Sequence, residues 1–238
     1  FNPYNYTLNS PLAFEDPDGN DVYLVIWFTA SGETGHAGIA VDNYHEVVKN
    51  TYDAQGNITK TEKIWEADGT VTYFDHWPGD TDGDGDIDDD DDGVGKGNSD
   101  VDVGAYMNYE TNIKLDDLKN KDIGIGEGMA ADGLIRIDTD KDDDDKLRDT
   151  YKNAADRPKK YNGQTFNCSD FAQKCVNSLG KMTVDGTEKI THPGNISMDP
   201  INMESVTPNY LFKAVKEVVE NDPSKGKVEK GDSNTDQD

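Results

Sequence analysis

Basic residues are scarce in this chain of 238 residues: 23 Lys and Arg stand against 49 Asp and Glu, a net charge of -26 at pH 7. Such a surface repels phosphate backbones, which excludes nucleic-acid binding through a broad basic face. Cysteine is rarer still, and two cysteines cannot build a disulfide scaffold. No apolar run approaches the roughly 18 residues needed to span a bilayer. The longest, Val22 to Phe28, is a strand's worth and is interrupted by Tyr23. The chain opens without Met, without a basic n-region and without a signal peptide, and reads as a piece of something longer. Only 33% of it is hydrophobic, which suits one full core, or one domain with appendages.

Local patterns give a series of strands and helices. Asp21 to Thr29 reads as a buried strand because β-branched and aromatic residues dominate it. Ser31 to Gly35 reads as a Gly-rich turn, and His36 to Val41 as a second strand. A hairpin-like region follows, with strands Asn57 to Trp65 and Thr70 to Trp77 about a turn at Asp68-Gly69. Residues 80–100 are nearly all Asp and Gly, hence a loop. Leu134 to Ile137 suits a strand and Asp142 to Asp156 a helix, with acids near its positive end. Tyr161 to Phe166 reads as a loop. Cys168 to Leu179 is the clearest helix, capped by Asn167. Asn209 to Glu220 forms a last amphipathic helix behind Thr207-Pro208. From Asn221 onward nothing is available to bury, so that tail is expected to be disordered. Strands and helices are segregated, which gives an α+β fold.

Phe171, Ala172, Cys175, Val176 and Leu179 recur at helical spacing and define a buried stripe. Cys175 is therefore a core residue. Cys168 lies about two turns, or roughly 10 Å, away on the same face, too far for a disulfide. It sits instead in the first turn, where unpaired backbone N–H groups favour a thiolate and can face an oxyanion. A histidine base would make it a nucleophile. His36 begins a strand after the Gly-rich turn, where a side chain can reach a cleft. His45 lies in a polar turn and His192 in a Gly/Pro loop. Were strands 36–41 and 70–76 antiparallel neighbours, Asp75 or His76 would lie beside His36 and orient its imidazole. Alternation sends Asp75 and His76 to opposite faces, so only one can serve.

Two family resemblances follow from these residues. NPYNYTLNSPLAFEDPDG, Asn2 through Gly19, resembles the closing segment of Rhs/YD-repeat cores, shells that carry variable toxins at their C-termini. This chain has Asn20 where that family continues with Leu. The second resemblance joins GHAGIAV, Gly35 to Val41, with NCSDFAQKCV, Asn167 to Val176. Together they resemble the permuted papain-like superfamily, which includes permuted NlpC/P60 enzymes and relatives of lecithin:retinol acyltransferase. That likeness implies an antiparallel sheet packed on a central helix carrying the nucleophile. It implies Cys168 as nucleophile, His36 as base, and His76 or Asp75 as the polar residue on the following strand. The Cys168 N–H would help hold the oxyanion, with Gln164 as a weaker second donor.

Asp80 to Asp91 (DTDGDGDIDDDD) fits the twelve-residue calcium loop. Asp80, Asp82 and Asp84 take positions 1, 3 and 5, and Gly85 the turn at 6. Asp86 offers its carbonyl at 7, Asp88 acts through water at 9, and Asp91 stands at 12 in place of the usual Glu. A bound Ca²⁺ would be structural and would offset repulsion among these carboxylates. Asp138 to Asp149 is a poorer copy, better read as an acidic helix start.

The expected organisation is the end of an Rhs core at 1–20, a papain-like toxin domain at 21–220 with an acidic calcium-loop insertion at 78–100, and a tail at 221–238. The expected activity is that of an antibacterial cysteine hydrolase cleaving an amide in peptidoglycan peptides. Acyl-ester hydrolysis or transfer is the rival within that chemistry, and a non-catalytic calcium-stabilised binding module the rival outside it. The resemblances imply a cognate immunity protein and the Rhs shell with its secretion apparatus as partners. They place the domain outside the producing cell, acting in a bacterial periplasm.

Overall fold

The computed structural model describes residues 21–28, 35–79, 103–120, 130–163, 165–192 and 201–231. In chain order the elements are β1 (Asp21–Trp27), β2 (His36–Tyr52), β3 (Ile58–Pro78), β4 (Val103–Lys114), α1 (Leu115–Asn120), β5 (Gly133–Asp138) and α2 (Lys141–Lys152). There follow β6 (Lys160–Tyr161), α3 (Cys168–Ser178), β7 (Thr187–His192), β8 (Ile201–Val206), α4 (Pro208–Asn221), a 3-10 turn at Pro223–Lys225 and β9 (Gly226–Lys230). Seven strands form one sheet in the order β6-β4-β3-β2-β1-β5-β9, every neighbouring pair antiparallel. β7 and β8 pair separately. The fold is α+β.

The largely apolar run of β1 has a physical cause: this strand is covered on both faces, and all seven of its residues are buried. Val22, Leu24 and Ile26 join Ile39, Phe74 and the inner stripes of α2, α3 and α4 in the larger core. Tyr23, Val25 and Trp27 point the other way, into a smaller core with Ala40, Tyr73, Leu134 and Leu118 of α1. Alternation along a strand thus assigns each side chain to one of two cores. The α3 stripe foreseen from spacing is present, with Phe171, Ala172, Cys175 and Val176 all fully buried. The larger of these, Phe171 and Val176, each contribute about 1.5–3 kcal/mol on leaving water.

Two expectations about β structure are corrected. Asp68-Gly69 is no hairpin turn, because β3 runs straight through it. The register slips there, between Asp42 and Tyr44 on the partner strand, and Gly69 takes φ 80°, a conformation that costs glycine little. The reversal lies instead at 53–57, where the Asp53 carboxylate accepts the Gln55 and Asn57 N–H groups. β2 is accordingly far longer than the six residues expected. β1 pairs with it only as far as Val41, and β4 follows β3 only to Thr70. Residues 44–67 therefore project as a two-stranded arm, on which Val48, Tyr52, Ile58 and Trp65 stay exposed. Its root is held by α2, with Lys141 over the Trp65 ring at 4.6 Å and Arg148 over Tyr44 at 5.3 Å.

The third correction concerns the tail. Residues 223–230, expected to lack structure, make the 3-10 turn and β9, which pairs with β5. Val228 packs against the larger core, and Glu229 pairs with Lys119 and Lys227. An edge strand of alternating charged and small residues needs only one apolar side chain to dock, which composition alone obscures. Segment 1–20, the acidic run 80–91, Gln164 and residues 232–238 lie outside the described residues.

Candidate active site

Asn167 organises the start of α3. Its side chain accepts the Ser169 and Asp170 N–H groups, while Asp170 accepts the Asn167 N–H in return. The Asn167 amide also donates to Gly163 O, Ser205 Oγ and Val206 O. This reciprocal cap satisfies orphan donors of the first turn and ties the helix to β8. Cys168 follows immediately, 6% exposed. Its Sγ lies 3.9 Å from the Ser169 hydroxyl and within electrostatic reach of the His36 imidazole and the Ala37 N–H. The helix start and the start of β2 therefore come together.

Strand register selects between Asp75 and His76. Gly38 lies opposite Asp75 and His36 opposite Trp27, so Asp75 shares the face of His36. Asp75 Oδ2 lies 2.9 Å from His36 Nε2, and the pair is 0% and 2% exposed. With Nε2 engaged by the carboxylate, Nδ1 is the ring nitrogen left for the thiol. The Trp77 indole stacks on the imidazole at 4.1 Å and 18°, and the Trp27 ring lies tilted to it at 5.7 Å. The Tyr73 hydroxyl donates to the same Asp75 Oδ2 at 2.7 Å.

His76 points into the larger core. Its Nε2 bonds Lys160 O at 3.1 Å, and its ring lies among Tyr161, Phe166 and Phe171 at 5.2–5.6 Å. Burial pushes it down to about 4, so it is neutral at pH 7. It does not reach His36. His45 is exposed on the arm, and His192 ends β7.

The electrostatics of the pair are distinctive. Burial opposes a charge on His36, but the Cys168 thiolate and then the Asp75 carboxylate outweigh it, and His36 is pushed up to about 10. Burial likewise opposes the Cys168 thiolate, yet the His36 imidazolium and the Ala37 and Ser169 donors hold the thiol below its ordinary value. Cys175 supplies the contrast, since burial outweighs the Tyr151 hydroxyl and the Lys174 charge and drives it up to about 12. These opposite shifts favour a thiolate–imidazolium pair over the neutral thiol and imidazole.

Tyr161, which the sequence reading left in a loop, closes the group. It is 8% exposed; burial and the adjacent Cys168 thiol keep its phenol protonated, and its oxygen lies beside the Cys168 N–H. The cap takes the next two donors, the Ser169 and Asp170 N–H groups. Tyr73 and Trp77 also went unnoticed in the sequence. Alternation along TYFDHW could have flagged them, because Tyr73, Asp75 and Trp77 fall on one face. Among the described residues no three His, Cys, Asp or Glu side chains gather to hold a metal ion, and no helix is long and apolar enough to cross a membrane. No family model, no curated protein and no solved structure matches this chain.

Proposed function

We propose that the chain is a cysteine hydrolase with Cys168 as nucleophile, His36 as acid and base, and Asp75 as the group that orients His36. The observation that carries this reading is the buried thiol–imidazole pair backed by a carboxylate 2.9 Å from Nε2. Such a set has the parts that acyl transfer requires. The thiolate attacks an amide or ester carbonyl, and the C–S bond forms as the carbonyl electrons move to oxygen. His36 gives its Nδ1 proton to the leaving nitrogen or oxygen, releasing the first product and a thioester. Water, deprotonated by His36, then adds to the thioester and expels the thiolate. The oxyanion needs the Cys168 N–H, so Tyr161 must yield that donor when substrate arrives.

An amide in a peptidoglycan peptide is the substrate class this reading favours, with an acyl ester second. That preference, the periplasmic site of action, the immunity protein and the Rhs shell rest on the sequence resemblances alone. The papain-like architecture belongs to the same proposal. Asp80, Asp82, Asp84, Asp86, Asp88 and Asp91 have the residue types and spacing for one structural Ca²⁺. The enclosure of Cys168, 6% exposed, favours a second reading, a non-catalytic binding module with an inert buried thiol.

Iodoacetamide labelling at pH 6, followed by peptide mass spectrometry, separates the two. Cys175 is the buried internal reference. Cys168 should label faster than Cys175, and His36→Ala should slow it by at least about tenfold by removing the cation that stabilises the thiolate. Labelling no faster than Cys175, or unchanged in a folded His36→Ala variant, sinks the hydrolase reading and favours the binding module.

A further inference from the structure

We infer that Tyr73 is a positioning residue of this site: its hydroxyl, laid across the Cα of Gly38, fixes the Asp75 carboxylate that in turn fixes His36. The inference rests on the reading that Cys168 and His36 are a reactive pair. Tyr73, Asp75 and Trp77 alternate onto the face of β3 that His36 and Gly38 share on β2. Tyr73 is 0% exposed, and its Oη donates to Asp75 Oδ2 at 2.7 Å, the same oxygen that His36 Nε2 meets at 2.9 Å. Asp75 Oδ1 has no hydrogen-bond partner among the described residues. Two donors on one oxygen therefore set the rotation of this carboxylate, and Tyr73 is one of them.

Gly38 supplies the space. A Cβ at this position would stand 2.4 Å from Tyr73 Oη and 2.6 Å from its Cε2, so any side chain here displaces the phenol. The Trp27 ring meets Tyr73 edge-on at 6.3 Å and bounds the slot beside His36. A tyrosine that only filled volume would need no acceptor at 2.7 Å. The shared Oδ2 gives it a second task. With the hydroxyl present, the carboxylate keeps the lone pair that receives Nε2–H and the imidazole keeps Nδ1 toward the thiol. Without it, the carboxylate can turn toward its unpartnered oxygen, and His36 loses its fixed orientation.

Two variants test this, Tyr73→Phe and Gly38→Ala, the second keeping the hydroxyl but shifting it. The readouts are the pH profile of Cys168 labelling by iodoacetamide and the proton resonance of His36 Nε2–H. Losing one hydrogen bond to a charged acceptor should lower the pH 6 labelling rate about tenfold. It should also raise the pH of half-maximal labelling and move the Nε2–H resonance. Gly38→Ala should act in the same direction, and the double variant should lose little beyond either single one. A folded Tyr73→Phe protein with the wild-type midpoint and resonance overturns the inference, even if its Tm falls, because lost packing would lower Tm alone. Should wild-type Cys168 label no faster than Cys175, the reading of the site fails. The Nε2–H resonance needs no reactive thiol, and its response to Tyr73→Phe still decides whether Tyr73 holds Asp75.

Discussion

Replacing Asp75 by Asn and, separately, His76 by Gln distinguishes the two residues that could have oriented His36. Asp75→Asn keeps the volume and a hydrogen bond but removes the charge. Two unit charges about 4 Å apart at an effective dielectric near 20 interact by about 4 kcal/mol. That value bounds the loss from above and corresponds to about 3 pKa units. Asparagine retains part of the contact, so a fall of about 2 units in the His36 value is expected. His36 would then descend from about 10 toward the ordinary imidazole range, and the thiolate would recapture its proton in much of the population. Cys168 labelling at pH 6 should drop roughly 10- to 100-fold. His76 is neutral at that pH and touches Lys160 O and aromatic rings, so His76→Gln should change labelling less than about threefold. Both variants would be assayed by peptide mass spectrometry, with Cys175 as reference and folding checked by thermal melting. A large loss in His76→Gln with none in Asp75→Asn would refute the assignment.

Further outcomes follow from the same contacts. His76 is pushed down to about 4 from 6.5, so the unfolded chain takes up its proton first. The stability from neutral His76 is complete above pH 6.5 and is lost as pH falls through about 4, a change of about 3 kcal/mol. Urea melts from pH 7 to pH 4 should show that slope, and His76→Gln should flatten it; an unchanged slope would mean that His76 is charged or solvated when folded. Phe171 is fully buried against Phe74, Tyr151 and His76, so Phe171→Ala should cost about 3–5 kcal/mol in urea melts. A loss below about 1 kcal/mol would contradict this packing. Ca²⁺ at millimolar concentration should raise Tm reversibly with chelator, and Asp82→Ala with Asp84→Ala should abolish the rise. A Tm indifferent to Ca²⁺ disposes of the calcium loop.

Much of this geometry was legible where a local pattern has one physical meaning. The β-branched run of β1, the α3 stripe and the Asn167 cap are of that kind. That His36 and Cys168 meet was legible only through a resemblance, since 132 residues separate them and nothing local joins them. Alternation showed that Asp75 and His76 face opposite ways, but the absolute face depends on which residue of β2 lies opposite, a tertiary fact. Asp68-Gly69 misled because a turn dipeptide and a bulge have the same composition. Tyr161 was obscured because β6 is only two residues long, too short for any period to register.

The arm formed by residues 44–67 has a consequence for the covalent continuity of the molecule. Among the described residues each of its strands has one strand neighbour, so its amides should exchange with solvent well before those of β1. A protease cut at the exposed 53–57 reversal would separate His36 and Asp75 onto different polypeptide segments. Both roots would stay anchored, β2 by β1 through Val41 and β3 by β4 from Thr70. The His36–Asp75 contact should therefore survive a nick in the loop that connects its two halves, and new chain termini opened at that reversal should be tolerated.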